Sequence, residues 1–419
     1  MVLKDFKYSP LPSTGYIRLV TLLQGSGMPI RCRLEEHSVT ELPQYDALSY
    51  TWGFEKCPHD GSKPRGTRYI MLNDLKFHVQ NNLFHALMAL RNGGRHGDQG
   101  LPIWIDAICI NQDDDQEKSH QVGSMSLIYL SAEQVHAWLG PSCPHIQDVF
   151  GFIERRRSSV AEGPEKIHWH GIDEIGRRSY WHRAWIRQEL ILAKSLQVRC
   201  GDLSHDWGAF VSALRDMNSI AVEGHALAST TRVASTTRGK DSDEVVHYLY
   251  KEGLNSIFNI DDGREEAIRK GGARPYGLIQ TLMKFGLAQS SDPRDRVYAL
   301  LSLCNDTVGP NAFQADYSIS CKRLFYALLG LHRIKSGCGC AELGGHLIKV
   351  LELDVGEMTP MILRTQPIAD EISQTRNISG TNGTLVQAFL QDLLAAVESI
   401  LLATDQTPPQ HHHSDRLCR

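Results

Sequence analysis

The chain reads as an α/β protein: a mostly parallel sheet with helices on both faces, followed by a mainly helical C-terminal region. Three observations predict this. The run Leu101–Ile110, LPIWIDAICI, is rich in Ile and Trp and carries one charge, Asp106. Too short for an ordinary helix, it reads as a strand buried on both faces, the pattern of a parallel sheet. Val122, Met125, Ile128, Tyr129 and Ala132 then recur at three- and four-residue spacing, which gives a helix one apolar face. Val135–Leu139 is a second short apolar run, closed by Gly140 and Pro141. Strand, helix and strand within residues 101–140 make a βαβ unit with a right-handed crossover. Ligands of open α/β sheets bind beyond the carboxyl ends of the strands. That rule puts Asn111, Gln112, Asp113 and Gly140 on the rim.

The other elements follow in chain order. Tyr16–Leu23 and Ile30–Leu34 are strands around the turn Gln24-Gly25-Ser26-Gly27. Residues 45–53, YDALSYTWG, form a short strand ending in a glycine turn, and 54–68 are a polar loop. Tyr69–Val79 suggests a small hairpin over Asn73-Asp74. Asn81 is placed to cap a helix with Leu83, Leu87 and Leu90 on its apolar face, and Gly93-Gly94 stops it. After the βαβ unit, 141–176 is loosely patterned. Residues 180–193, YWHRAWIRQELILA, lack Gly and Pro and read as one helix. Leu196–Cys200 is a further strand, and 207–217 a helix. Residues 216–275 are polar and read as a linker or mobile insertion. Helices are expected at 278–287, at 297–303 with Pro293 near the first turn, and at 321–332. Leu385–Leu402 carries one wide apolar stripe.

Composition narrows the function. A net charge of -4 gives no reason to expect nucleic acid or an anionic membrane as the main partner. The ten cysteines are scattered and read as reduced thiols, which favours a cytoplasmic location. The first residues, MVLKDFKYSP, have no apolar signal core, and no run of about 18 apolar residues is present to span a membrane. Cys338 and Cys340, His168 and His170, and His411–His413 lack the spacing of a common metal motif, so no metal is expected. No GxSxG, HExxH, P-loop or GxGxxG occurs between a strand and a helix. Three carboxylates stand in apolar surroundings: Asp46, Asp106 and Glu189. For Asp106 the simplest role is to accept loop N–H groups near the strand end. For Glu189 it is an ion pair with Arg183 or Arg187.

Three blocks stand in order: 45–53, 101–140 and 180–193. Together they resemble the heterokaryon-incompatibility (HET) domain of filamentous fungi. The resemblance rests on the strand end Ser-Tyr-x-Trp-Gly, the block Trp-Ile-Asp-x-x-Cys-Ile-Asn-Gln, the helix Met-x-x-Ile-Tyr, and Arg-Ala-Trp-x-x-Gln-Glu-Leu. Ile17-Arg18-Leu19, Cys32, residues 291–303 and Ala315-Asp316-Tyr317-Ser318 also fit it. It implies N-terminal strands over 1–44, a HET domain over 45–215 with its core motifs in 45–193, a linker over 216–275 and a helical region over 276–419. The HET domain is in turn similar to TIR domains. The resemblance implies a module of non-self recognition and programmed cell death, acting through self-association or an unidentified protein partner.

The TIR likeness adds an alternative, an NAD glycohydrolase in which Glu189 is catalytic. Ser49, Tyr50, Trp52, Gly53, Asn111, Arg183 and Arg187 would then line the NAD cleft. No cofactor is required in either case, NAD being a substrate. A degenerate member without activity is the third expectation. Trp104, Ile105, Ile128, Trp138 and Trp185 are expected in the core.

Overall fold

A computed structural model describes residues 4–354, apart from 26, 53–67, 93–94, 97–99, 158–168, 219–239, 273, 308–312, 314 and 337–340. The chain divides into two compact units, residues 1–275 and 276–419.

The first unit is built on one nine-stranded sheet. Its strands are β1 (Tyr16–Leu22), β2 (Arg31–Ser38), β3 (Asp46–Tyr50), β4 (Arg68–Leu72), β5 (Leu75–Val79), β6 (Ile103–Trp104), β7 (Val135–Trp138), β8 (Leu196–Cys200) and β9 (Leu203–Asp206). They lie in the order β5-β4-β2-β1-β6-β3-β7-β8-β9. The central four, β6-β3-β7-β8, are parallel. The flanks are mixed: β1 runs antiparallel to β2 and β6, β4 to β5, and β8 to β9, while β2 and β4 are parallel. The expected run of parallel strands is therefore confined to the centre. There all five residues of β3 are buried.

Turn chemistry explains one flank. Asn73 and Asp74 have φ of 50° and 63°, the left-handed pair of a two-residue hairpin. The Asn73 side chain also accepts the Leu34 N–H at 2.9 Å and donates to the Leu34 carbonyl at 3.1 Å, locking the hairpin to β2. Asn73→Ala removes both bonds and puts a residue ill suited to positive φ at the turn. It should cost about 1–2 kcal/mol in denaturant unfolding.

Helix α1 (Asn81–Asn92) buries Leu83, Leu87 and Leu90 as its spacing predicts. Asn81 does not cap it, since its side-chain oxygen is buried without a hydrogen bond. The strand expected over 101–110 is shorter than its apolar run. After Ile103–Trp104 the chain turns into a single helical turn, α2 (Asp106–Cys109). Ile108 and Cys109 are buried there as they would be in a strand. A buried run of this length cannot tell the two conformations apart by periodicity.

Helix α3 (Asp115–Ser131) starts on Asp114, whose carboxylate accepts the N–H groups of Gln116 and Glu117. Glu117 grips the Arg18 guanidinium on β1 at 2.6 and 3.0 Å, which ties the helix start to the sheet. The chain then enters β7, so the crossover from β6 passes over β3.

Helices α4 (Pro144–Arg157) and α5 (Trp169–Gly176) lead to a block that departs from the sequence reading. Residues 180–193 are not one helix. A 3₁₀ turn, Ser179–His182, is followed by an extended Arg183 and then by α6 (Ile186–Ile191). The break turns Tyr180 and Glu189 toward the same strand end. It also changes which tryptophan is in the core. Trp104, Ile105, Ile128 and Trp138 are buried as expected; Trp185 is only partly buried, and Trp181 is fully buried instead.

Helix α7 (207–218) follows β9. The stretch 216–275, expected to be a linker, contains a long helix, α8 (Lys240–Arg269). Leu254, Ile257 and Ile260 recur at three-residue spacing and are buried. Gly253 lets α8 cross the end of α5 backbone to backbone, because a Cβ there would lie 1.7 Å from the Gly176 carbonyl oxygen. Among the described residues no helix is long and apolar enough to cross a membrane.

The second unit is helical where it is described. It comprises α9 (Leu278–Phe285), α10 (Asp295–Tyr298), a 3₁₀ turn Leu301–Leu303, α11 (Cys321–Ser336) and α12 (Ala341–Val350). Two short turns thus replace the single helix expected over 297–303. Arg294 holds Asp292 and the carbonyls of Tyr317 and Ile319, which organises the Asp-Pro-Arg-Asp segment. The apolar stripe Leu385–Leu402 lies outside the described residues.

Candidate functional site

The carboxyl end of β3 carries the densest polar cluster that the sequence pointed to. Tyr180 OH lies 2.6 Å from Ser49 Oγ, and Ser49 Oγ bonds to the Glu189 carboxylate. With Glu189 ionised, the only arrangement is a relay: Tyr180 donates to Ser49, and Ser49 donates to Glu189. Glu189 is 2% exposed, and Ser49 and Tyr180 are fully buried. Burial pushes the Glu189 carboxyl up to about 7, against the opposing pull of Arg183 and the Ser49 hydroxyl.

Arg183 donates to the Tyr50 carbonyl. Its charge acts on two carboxylates, Glu189 and Asp106. Asp106 accepts the Trp52 indole N–H at 2.8 Å and the Ala107 N–H at 2.6 Å. Burial raises its carboxyl as well, with Arg183 and Trp52 opposing. Trp52 is 44% exposed and forms the outer edge of the cluster. Glu189 and the hydroxyl relay are therefore buried, with half-buried Asp106 and Arg183 beside the accessible Trp52 indole. Such a group can hold and move a proton near neutral pH.

The residues expected around an NAD cleft fare unequally. Ser49, Tyr50, Trp52, Arg183 and Glu189 come together. Asn111 is engaged in its own turn, its N–H on Glu117 at 2.7 Å and its side-chain oxygen on the Asp113 N–H at 3.3 Å. Arg187 is buried and structural: it bonds to the carbonyls of Trp181 and Arg183 and to Ser256 at 2.9 Å on α8. Burial lowers its guanidinium to about 10. It faces the protein interior and does not join the others. Gly53 lies outside the described residues. The ion pair expected for Glu189 is replaced by the Ser49 hydroxyl. Asp106 accepts the N–H of Ala107, which lies in α2 and not in a loop, and it also joins the cluster. Tyr180 was not singled out, although its place opening the 180–193 block was a signal.

A second cluster sits at the amino end of the same strand. Asp46 is met by His136, His96 and Arg95. Burial alone would raise its carboxyl, but His136, His96 and Arg95 gathered around it hold it well below the usual carboxylate range. Burial pushes His136 down to about 4, with Asp46 opposing and Arg199 reinforcing the shift.

Residues 45–189 match the family described as Heterokaryon incompatibility protein (HET). Heterokaryon incompatibility protein 6, OR allele, of Neurospora crassa is 34% identical over 356 residues, covering 74% of this chain and 50% of that protein. This chain contains a HET domain. The matched segment of the HET domain runs from the start of β3 to α6 and so encloses both clusters. The chain spans about half the length of the curated relative it matches. No solved structure matches it.

Proposed function

We propose that the chain acts in fungal non-self recognition and the cell death that follows, with its HET domain working as a cytoplasmic module that associates with itself or with a protein partner. The relative's name supports the incompatibility role. The observation that carries the choice of mechanism is the closure of Glu189, which is 2% exposed behind Ser49 and Tyr180. A carboxylate so enclosed serves as a buried joint between β3 and α6.

One specific observation favours a second reading, a TIR-like NAD glycohydrolase. Glu189 is poised at about 7, and a half-exposed indole stands beside a second carboxylate. Loss of nicotinamide builds positive charge on the ribose, which a carboxylate stabilises in glycosidases. In this reading the exposed Trp52 ring would stack on a base or nicotinamide ring. This reading requires the Tyr180–Ser49 cover to open.

Purified chain incubated with NAD, alongside Glu189→Gln, separates the two. The module reading expects no nicotinamide release, and toxicity on overexpression that survives Glu189→Gln while cellular NAD stays constant. Nicotinamide release abolished by Glu189→Gln would overturn it in favour of the enzyme.

A further inference from the structure

The geometry points to a binding site for one divalent transition-metal ion of the zinc class, formed by Asp46, His96 and His136. The site lies at the opposite end of β3 from the Glu189 cluster and does not depend on the function proposed for that cluster.

Three donor atoms converge. Asp46 Oδ2 lies 3.2 Å from His96 Nε2 and 3.0 Å from His136 Nε2, and the two Nε2 atoms are 3.1 Å apart. All three side chains are buried. Ligands held at about 2.0–2.1 Å on the corners of a tetrahedron lie roughly 3.3 Å from one another. The observed triangle is thus nearly one face of such a tetrahedron. Two imidazoles and a carboxylate are the donor set of zinc and ferrous sites.

The backbone builds this face. Asp46 opens β3, and His136 on β7 is in register with Leu48, two residues further along β3 and on the same side of the sheet as Asp46. His96 comes from the loop before β6. Its Nδ1 lies 3.0 Å from the Leu101 carbonyl, so that nitrogen carries the proton and Nε2 turns a lone pair to the centre. This is the outer-shell bond that orients a metal-binding imidazole.

Two cations face the cluster. Arg95 donates to Asp46 Oδ2 at 2.8 Å and Oδ1 at 3.0 Å, and its side chain is 44% exposed. Arg199 Nε donates to His136 Nδ1 at 3.1 Å. In that state His136 carries its proton on Nε2. Metal entry moves this proton to Nδ1, so none is released, and Arg199, itself half-buried, gives up its bond. Arg95 swings to solvent and the ion takes its place on Asp46. Arg95 is therefore the competitor of the metal, which yields an unusual expectation: removing it tightens binding.

The test uses the full chain, stripped with a chelator and re-equilibrated with zinc. Bound zinc is measured by elemental analysis, and melting is compared in zinc and in EDTA. The wild type should retain about one equivalent and melt several degrees higher in zinc. Arg95→Ala should bind about tenfold more tightly, because one positive charge a few ångströms from the ion is gone. His96→Ala should lose the equivalent while keeping its circular dichroism; if that variant does not fold, Arg95→Ala carries the test, since it leaves all three donors. Thiols and the His411–His413 segment also attract zinc, so full stoichiometry in folded His96→Ala overturns the proposal. So does the absence of a zinc-dependent shift in both the wild type and Arg95→Ala, which would make the cluster a polar core neutralised by arginine.

Discussion

Replacing Trp181 with alanine should lower stability by about 3–5 kcal/mol, the range for a large aromatic removed from a core. Trp181 is 0% exposed. Its ring meets Tyr180 edge-on at 4.9 Å, stacks with Phe210 at 6.2 Å and leans on Trp207 at 6.3 Å. Its carbonyl accepts Ser256 from α8 at 2.6 Å and Arg187 at 3.2 Å. The residue therefore joins the 3₁₀ turn, α6, α7 and α8 at one point. Trp185→Ala is the control. That side chain is only partly buried, so the loss should be smaller by half or more. Denaturant unfolding followed by circular dichroism measures both. Equal midpoints for the two variants would show that the break at Arg183 does not exchange the tryptophans as described.

Glu189→Gln should remove a pH-dependent weakness of the fold. The folded carboxyl is raised to about 7 from its ordinary value of 4.5. A group raised in the folded state contributes stability that is fully present below its unfolded pKa and lost as the pH climbs through the folded one. The wild type should therefore lose on the order of 3 kcal/mol between about pH 4.5 and 8, from a shift of roughly 1.4 kcal/mol per unit. Glutamine keeps an acceptor for Ser49 and does not titrate, so the variant should gain on the wild type as the pH rises. Asp46 acts in the opposite sense. Its carboxyl is held low, so its contribution is present above its unfolded pKa and lost as pH falls. Its window lies below that of Glu189, and the difference between wild type and Glu189→Gln isolates the latter. Parallel stability curves from pH 5 to 8 would show that Glu189 stays ionised throughout.

Much of the central sheet was legible in the sequence. The runs at 45–50, 103–104, 135–138 and 196–200 are four neighbouring parallel strands, as short runs rich in apolar residues between turns predict. The Asn73-Asp74 turn and the apolar face of α1 follow from local chemistry in the same way. So does the gathering of Ser49, Tyr50 and Trp52, because a strand end must lie at the rim of its sheet. These features depend on residues within a few positions of one another. Periodicity and turn preference act over that range, and both are written directly in the residue order.

What the tertiary structure alone decided lies at long range. Ser49 and Glu189 are 140 positions apart, and Asp46 and His136 are 90 apart. The apolar spacing of 180–193 shows that the segment packs. It does not show that the chain breaks at Arg183 so that Tyr180 and Glu189 both reach Ser49. The polar composition of 216–275 conceals the buried side of α8, which the fold shows where Leu254, Ile257 and Ile260 pack and Ser256 meets Arg187. Arg187 itself carries a charge that the sequence would send to a ligand, yet the fold spends it on backbone carbonyls. A buried polar group must find its partner wherever the chain brings one, and that partner leaves no mark on the residues beside it.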